Sequence, residues 1–258
     1  MQTLDAVFEA LADGDATTHD IYTTLAPLYR TMYVARNRIE GQLTAAEAAA
    51  PSDATTVLEL GCGTGHLLAR LSSSFETAVG ADPSPEMARI ASERAANVCR
   101  ADARAFATGS VDLAVLLGAV LGHVRPDSAG RDAVSAVGRS LRPGGRAVCS
   151  VHRCLESPRS RELTRRVGGY EITQRDVQRP TGENTFEWAV TFEMAAEATG
   201  ETRTVSTTTT LRAFTPAELT GWFEAAGFVD VSTTPRTYVD GPGETDRAFL
   251  LTARWPRA

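Results

Sequence analysis

Between Thr55 and Leu71 the chain reads TTVLELGCGTGHLLARL: a short apolar run, three glycines at alternate positions, then apolar residues at helical spacing. No other stretch restricts the fold as strongly. A strand that enters a helix through a glycine bend opens a parallel α/β sheet and leaves bare backbone at the strand's carboxyl end. The alternation continues to about Val151. ETAVGAD reads as a strand and SPEMARIASERA as a helix with Ser84 as its N-cap. ANVCRAD is a third short strand and VDLAVLLG a fourth; DSAGRDAVSAVGRSL is helical and stops at RPGG, and GRAVCSVH is a fifth strand. Strands separated by helices of this length predict an α/β fold, a parallel sheet with helices on both faces.

The flanks read differently. Residues 1–54 predict a helical cover. LDAVFEALADGD has helical spacing, and DIYTTLAPLYRTMY can place Tyr22, Tyr29 and Tyr33 on one face, although Pro27 argues against a single straight helix. After residue 152, GYEITQRDVQ, NTFEWAVTFEMAAE and ETRTVSTTTTLRAF alternate apolar and polar residues at period two, with turn signals PTGEN and ATGE between them. The α/β pattern then resumes with the helix TPAELTGWFEAAG, capped by Thr215 with Pro216 at its first position and Gly227 at its end. FVDVSTTPRTYV and DRAFLLTARW read as closing strands. The expectation is a domain over 55–258 carrying an antiparallel lid inserted at about 153–213. RSRELTRRVGG, the densest basic stretch, reads as a solvated helix face.

Composition removes several classes of function. The net charge of −6 argues against general affinity for nucleic acid. No run approaches the ~20 apolar residues of a membrane span, and the acidic start MQTLDAVFEALADGD lacks the basic and apolar regions of a secretion signal, so a cytoplasmic location is expected. The four cysteines contain no CxxC pair and there are four histidines, a set that suggests neither a metal centre nor a disulfide framework. All 26 basic residues are arginine, which excludes lysine Schiff-base and lysine general-base chemistry.

Two cofactor classes compete for the opening stretch. A dinucleotide bend is GxGxxG, whereas Gly61, Gly63 and Gly65 give GxGxG with His66 where the dinucleotide pattern has its last glycine. Glu59 suits an ammonium or sulfonium better than a pyrophosphate. Asp82, ending the second strand, can accept from both hydroxyls of a ribose, and Asp102, ending the third, from an adenine amine. All three acids fall at the carboxyl edge of one sheet, where open α/β folds bind ligands.

VLELGCGTG, VGADPSPEM, CRADARAF, VDLAVLLGAVLGHV and LRPGGRAV, in this order, resemble the successive motifs of class I S-adenosylmethionine-dependent methyltransferases over about residues 55–151. FTPAELTGWFEAAGFVDV resembles them more weakly. The resemblance implies a Rossmann-like, seven-stranded, mostly parallel sheet, with S-adenosylmethionine as cofactor and S-adenosylhomocysteine as product. It implies that Gly61, Cys62, Gly63 and Gly65 admit the methionine part and that Glu59 supports that end. Asp82 would hold the ribose, Met87 would pack near the adenine, Asp102 and Ala103 would address its amine and ring, and Leu117 would lie beside the cofactor. RPGG would be the family's structural turn.

Methyl transfer is an in-line displacement that needs a base only when the nucleophile must lose a proton. His123, just past the fourth strand, is the candidate base, with an unperturbed pKa of ~6.5; its alternative role is to order its loop. Tyr29 is the second catalytic candidate, its oxygen suited to a place beside a sulfonium methyl. Tyr22, Tyr33, His152 and Trp188 are candidates for substrate binding, with core packing as the alternative for the aromatics. The inserted lid resembles that of methyltransferases acting on small metabolites, including amines of sugars and amino acids. A small-molecule acceptor follows, nitrogen first, oxygen close behind and carbon third. A homodimer is left open. The competing readings are a binding protein of the same fold without turnover and, more distantly, a dehydrogenase.

Overall fold

The computed structural model describes residues 3–11, 21–34, 36–105, 109–236 and 248–257. In chain order, α1 (Leu4–Ala10) and α2 (Ala26–Tyr33) precede α3 (Arg36–Ala49). Then come β1 (Thr56–Leu60), α4 (His66–Ser74), β2 (Thr77–Asp82), α5 (Pro85–Ser92), β3 (Val98–Arg100) and β4 (Val111–Leu116). After α6 (Val120–His123) and α7 (Asp127–Ser140), β5 (Leu141–His152) completes the alternating section. Four strands follow, β6 (Arg159–Val167), β7 (Tyr170–Gly182), β8 (Thr185–Ala196) and β9 (Thr202–Arg212), and then α8 (Pro216–Ala225), β10 (Val229–Pro235) and β11 (Ala248–Arg254). The chain forms two compact units, one of residues 35–154 and 212–258, the other of residues 1–34 and 155–211.

The larger unit is built on a seven-stranded sheet in the order β10-β11-β5-β4-β1-β2-β3. Strands β1 to β5 run parallel, and β11 is antiparallel to both neighbours. The expected mostly parallel sheet is therefore present. Its central strand β4 is buried along its whole length, and alternate residues serve two separate cores. Ala114 and Leu116, with Leu58 of β1, face Val134 and Val137 of α7 and Leu219 and Phe223 of α8. Leu113 and Val115, with Val57, face Leu43 of α3 and Leu67, Leu68 and Leu71 of α4. Helices thus cover both faces, as apolar strands without alternation require.

The helix caps anticipated at Ser84 and Thr215 are made: Ser84 Oγ accepts from Met87 N at 3.2 Å and Thr215 Oγ1 from Glu218 N at 3.2 Å. The RPGG segment, expected to lie ahead of the fifth strand, is drawn into it. β5 starts at Leu141, and its pairing jumps from Val111↔Leu141 to Leu113↔Arg146. RPGG is the bulge that takes up the extra residues, with Gly144 at φ +82°.

The smaller unit holds a four-stranded sheet in the order β6-β7-β8-β9. β7 and β8 bury Ile172, Gln174 and Asp176 together with Phe186, Trp188, Val190 and Phe192. Phe8 of α1 packs on Tyr170 at 5.0 Å between ring centroids, and Tyr33 of α2 meets Trp188 edge-on at 5.6 Å. Here one expectation fails: residues 159–167 are strand β6, antiparallel to β7, and not a helix. Arg159, Arg161 and Arg165 share the half-buried face with Leu163, so arginine stems do the covering that an apolar residue would advertise. Arg165 Nη1 donates to Thr31 O at 3.1 Å. No described helix is long and apolar enough to cross a membrane.

Candidate functional site

The glycine bend leaves β1 with Gly61, Gly63 and Gly65 all at positive φ, +70°, +53° and +76°. Gly61 N and Cys62 N both donate to Ala81 O of β2, at 2.7 and 3.1 Å, which ties the bend to the neighbouring strand. A β-carbon on Gly65 would sit 2.8 Å from Ala91 Cα, so only glycine lets α4 and α5 approach this closely. At Gly63 a β-carbon would meet nothing within 4 Å. Among the described residues, that face of the bend is bare backbone.

Two buried carboxylates stand under this opening. Asp82 Oδ2 accepts from Gly63 N and Oδ1 from Ser84 N, both at 2.9 Å. Each oxygen keeps a further acceptor position, the arrangement that a vicinal diol can bridge. Burial raises the Asp82 pKa, and the two backbone donors oppose that rise. Glu59, 4 % exposed, has Oε2 buried with no hydrogen-bond partner among the described residues. Burial first, and the charge of Asp82 second, hold its pKa well above the ordinary carboxylate range. Burial likewise raises Cys62, with Glu59 and Asp82 adding to the effect, so the thiol stays neutral.

The remaining sequence-predicted residues of this unit follow the carboxyl ends of the parallel strands. Met87 is 1 % exposed in the first turn of α5, and Ala103 and Leu117 are buried beyond β3 and β4. Asp102 is bound by Arg104, which donates through Nε at 2.8 Å and Nη2 at 2.7 Å. The arginine lowers the Asp102 pKa. His123 ends the short helix α6, and His152 ends β5, where its carbonyl accepts from Phe214 N at 2.9 Å. His66 Nδ1 lies 2.9 Å from Thr64 Oγ1 at the start of α4, and His19 falls outside the described residues.

The aromatic candidates belong to the smaller unit and form a continuous array. Tyr22 and Tyr29 have centroids 5.5 Å apart, Tyr29 stacks on Tyr33 at 5.0 Å, and Tyr33 continues to Trp188. The array ends on Asp176, 8 % exposed, which sequence reading missed. Its carboxylate accepts from Tyr33 Oη at 2.5 Å, Gln174 Nε2 at 2.6 Å and Trp188 Nε1 at 3.3 Å, with Arg161 Nε at 3.4 Å. Burial, then the Asp176 charge, raises the Tyr33 pKa, so its hydroxyl remains a donor.

Two further features of the larger unit escaped the sequence. Ser150 of β5, 1 % exposed, accepts from Gly118 N at 2.9 Å and Ala119 N at 3.4 Å. A lone serine within the apolar run AVCSV was the available signal. On α3, Arg38 and Gln42 are one turn apart; a β-carbon on Gly118 would lie 3.7 Å from Arg38 Nη2 and 3.8 Å from Gln42 Nε2. A guanidinium and an amide there suit a carboxylate.

An S-adenosyl ligand makes three demands on a site. Its ammonium needs a carboxylate with unused capacity, its ribose a diol acceptor, and its methionine chain a backbone without side chains. Glu59 Oε2, the open positions on Asp82 and the uncovered Gly63 are the groups that could answer them in turn. Residues 57–145 match the family described as a methyltransferase domain. Among solved structures, CalS10 of Micromonospora echinaspora, an amino pentose methyltransferase with S-adenosylmethionine bound, superimposes with a TM-score of 0.73 at 23% identity, covering 87% of this chain and 96% of that one. DesVI of Streptomyces venezuelae gives 0.77 at 21% identity, covering 91% and 98%. The sugar N-methyltransferase KedS8 of Streptoalloteichus sp gives 0.74 at 22% identity, covering 95% and 96%. A comparison with curated proteins returns no match.

Proposed function

We propose that this chain, whose residues 57–145 match a methyltransferase domain, is a class I enzyme that transfers a methyl group from S-adenosylmethionine to the nitrogen of a small amine, with an amino sugar as the favoured class. The observation that carries the cofactor half is the buried, unpartnered Glu59 Oε2 beside an Asp82 with one acceptor position left on each oxygen. The acceptor half is supported by the array from Tyr22 to Trp188, whose aromatic faces attract a cationic amine. Structures of the same fold include an amino pentose methyltransferase and a sugar N-methyltransferase.

S-adenosylmethionine supplies, when bound, a methyl group on a positively charged sulfur. In this reading Glu59 holds the ammonium, Asp82 the ribose hydroxyls and the glycine bend the methionine chain, while Met87, Ala103 and Leu117 exclude water around the nucleoside. Asp102 reaches the adenine amine with the acceptor capacity that Arg104 leaves. An amine is nucleophilic only without its extra proton, so His123 takes that proton at its imidazole. Within the smaller unit, Tyr22, Tyr29, Tyr33 and Trp188 offer aromatic faces suited to a cationic amine, and the Tyr29 oxygen suits a sulfonium methyl.

Calorimetric titration with S-adenosylhomocysteine tests the first half. Wild type should bind, and Asp82→Ala should bind about 100-fold more weakly, the worth of two hydrogen bonds to a charged group. Absence of heat or saturation in wild type sinks the assignment. For the second half, labelled S-adenosylmethionine is offered with amino sugars and with the same sugars bearing hydroxyl in place of the amine. Label in the amines alone is expected; label in the hydroxyl compounds alone would move the assignment to oxygen.

A further inference from the structure

We infer that Ser150 is a positioning residue: its hydroxyl holds the Gly118–Ala119 turn, and through it α6, against the glycine bend. The inference rests on the cofactor reading above and extends it to a residue that does not itself touch the ligand.

Ser150 lies in β5 between Cys149 and Val151, both fully buried, and is itself 1 % exposed. A hydroxyl there is unfavourable unless it is hydrogen-bonded. Its partners are two consecutive backbone donors, Gly118 N and Ala119 N. Both residues are left-handed, Gly118 at φ +91° and Ala119 at φ +63°. Glycine takes that conformation freely, but alanine resists it, because its β-carbon crowds the following carbonyl. The turn therefore needs something that favours it, and the hydroxyl answers that need by binding the amide of the strained residue.

What the turn controls begins at the next residue. Ala119 is the N-cap of α6, and Val120 opens that helix against the glycine bend: a β-carbon on Gly61 would sit 2.6 Å from Val120 Cγ2. On its other side α6 meets residue 212, since a β-carbon on Gly122 would sit 2.9 Å from Arg212 O. A helix of one turn, wedged between these two surfaces and carrying His123 at its end, goes where the turn directs it. Without the hydroxyl, Ala119 relaxes toward right-handed backbone, Val120 backs away from Gly61, and the bend loses its support.

Three proteins test this, Ser150→Ala, Ser150→Thr and the double variant Ser150→Ala/Ala119→Gly, compared with wild type. The readouts are S-adenosylhomocysteine affinity by calorimetry and amide exchange by mass spectrometry. Ser150→Ala should bind about tenfold more weakly and exchange faster over residues 117–124, with β1, β4 and β5 as protected as in wild type. Ser150→Thr, which keeps the hydroxyl on a strand-compatible side chain, should stay within threefold of wild type. The double variant should recover most of the affinity, because glycine holds the left-handed turn unaided. Unchanged exchange over 117–124 in Ser150→Ala, faster exchange throughout the sheet, or no recovery in the double variant would each overturn the inference. Should wild type itself not bind S-adenosylhomocysteine, the cofactor reading fails alone, and exchange over 117–124 still decides whether Ser150 holds the turn.

Discussion

Glu59 and Asp82 are both buried carboxylates on adjacent strands, yet they are equipped differently. Asp82 has two backbone donors, whereas Glu59 Oε2 has none among the described residues. In the absence of ligand Glu59 therefore tends to keep a proton, and an ammonium arriving beside it favours the ionised form. Binding of S-adenosylhomocysteine should accordingly release a proton and tighten as pH rises toward the pKa of Glu59. Titrations in buffers of different ionisation enthalpy measure this directly; heats independent of buffer would contradict it. The stability consequence has the opposite sign. A carboxyl whose folded pKa is raised binds more protons folded than unfolded, so its contribution declines as pH rises above the ordinary carboxylate range. Glu59→Gln should melt higher than wild type at pH 8, with the gap narrowing toward pH 4, while binding S-adenosylhomocysteine about 10- to 100-fold more weakly. Such residues were legible because their partners are close in sequence or set by the strand–bend–helix unit. Ser150 and Asp176 were not. Ser150 meets amides 31 and 32 residues away and Asp176 meets Tyr33 143 residues away, and a serine or aspartate on a strand looks the same with or without such partners.

At the scale of elements, the end of the sheet away from the site is fastened by Asp112 of β4. Its Oδ2 accepts from Thr55 N at 2.9 Å, Thr56 N at 2.8 Å and Thr56 Oγ1 at 2.7 Å, and its Oδ1 is bound by Arg142 Nε. Burial alone would raise the Asp112 pKa, but Arg142 and the threonine donors outweigh it and depress the value strongly. The linkage follows from that sign: the contribution is complete above the unfolded pKa of ~3.9 and is lost as pH falls through the lower folded value. Asp112→Ala should cost about 2–4 kcal/mol near neutrality, toward the lower part of the range for breaking a buried pair because Arg142 is a third exposed. Denaturant unfolding at pH 7 and pH 3 should show the deficit shrinking at the lower pH, and a deficit of equal size at both would exclude the carboxylate as its source. Elements announced by periodicity, such as β1, α4 and α8, were readable. β6 was not, because arginine occupies both of its faces and erases the alternation, and α6 was too short to show any period. The Asp112 junction resembles neither case. It exists only once β1 and β4 are side by side, and nothing local to either strand points to it.

For the whole molecule, the period change after His152 marked where the second sheet would be inserted, and the return of helical spacing at Thr215 marked its end. What the pattern did not indicate was how the return is anchored. Arg212, 3 % exposed at the end of β9, donates from Nε to Asp127 Oδ1 at 2.9 Å and binds Glu218 of α8, with its guanidinium 4.5 Å from the Phe214 ring centroid. The chain re-enters the larger unit through this buried cation. Division of the chain into two units also divides the chemistry. The residues assigned to the cofactor all lie within 35–154, and the Tyr22–Trp188 array with Asp176 lies within 1–34 and 155–211. Asp176→Asn is the variant that separates the two roles, since it keeps the shape and removes the charge to which Tyr33, Gln174, Trp188 and Arg161 are directed. With the array loosened, the apparent KM for an amino sugar should rise by about tenfold, the worth of roughly one charge-assisted hydrogen bond. The affinity for S-adenosylhomocysteine should stay within twofold, because no cofactor residue is touched. A variant that loses cofactor affinity and acceptor affinity together would overturn this separation of roles.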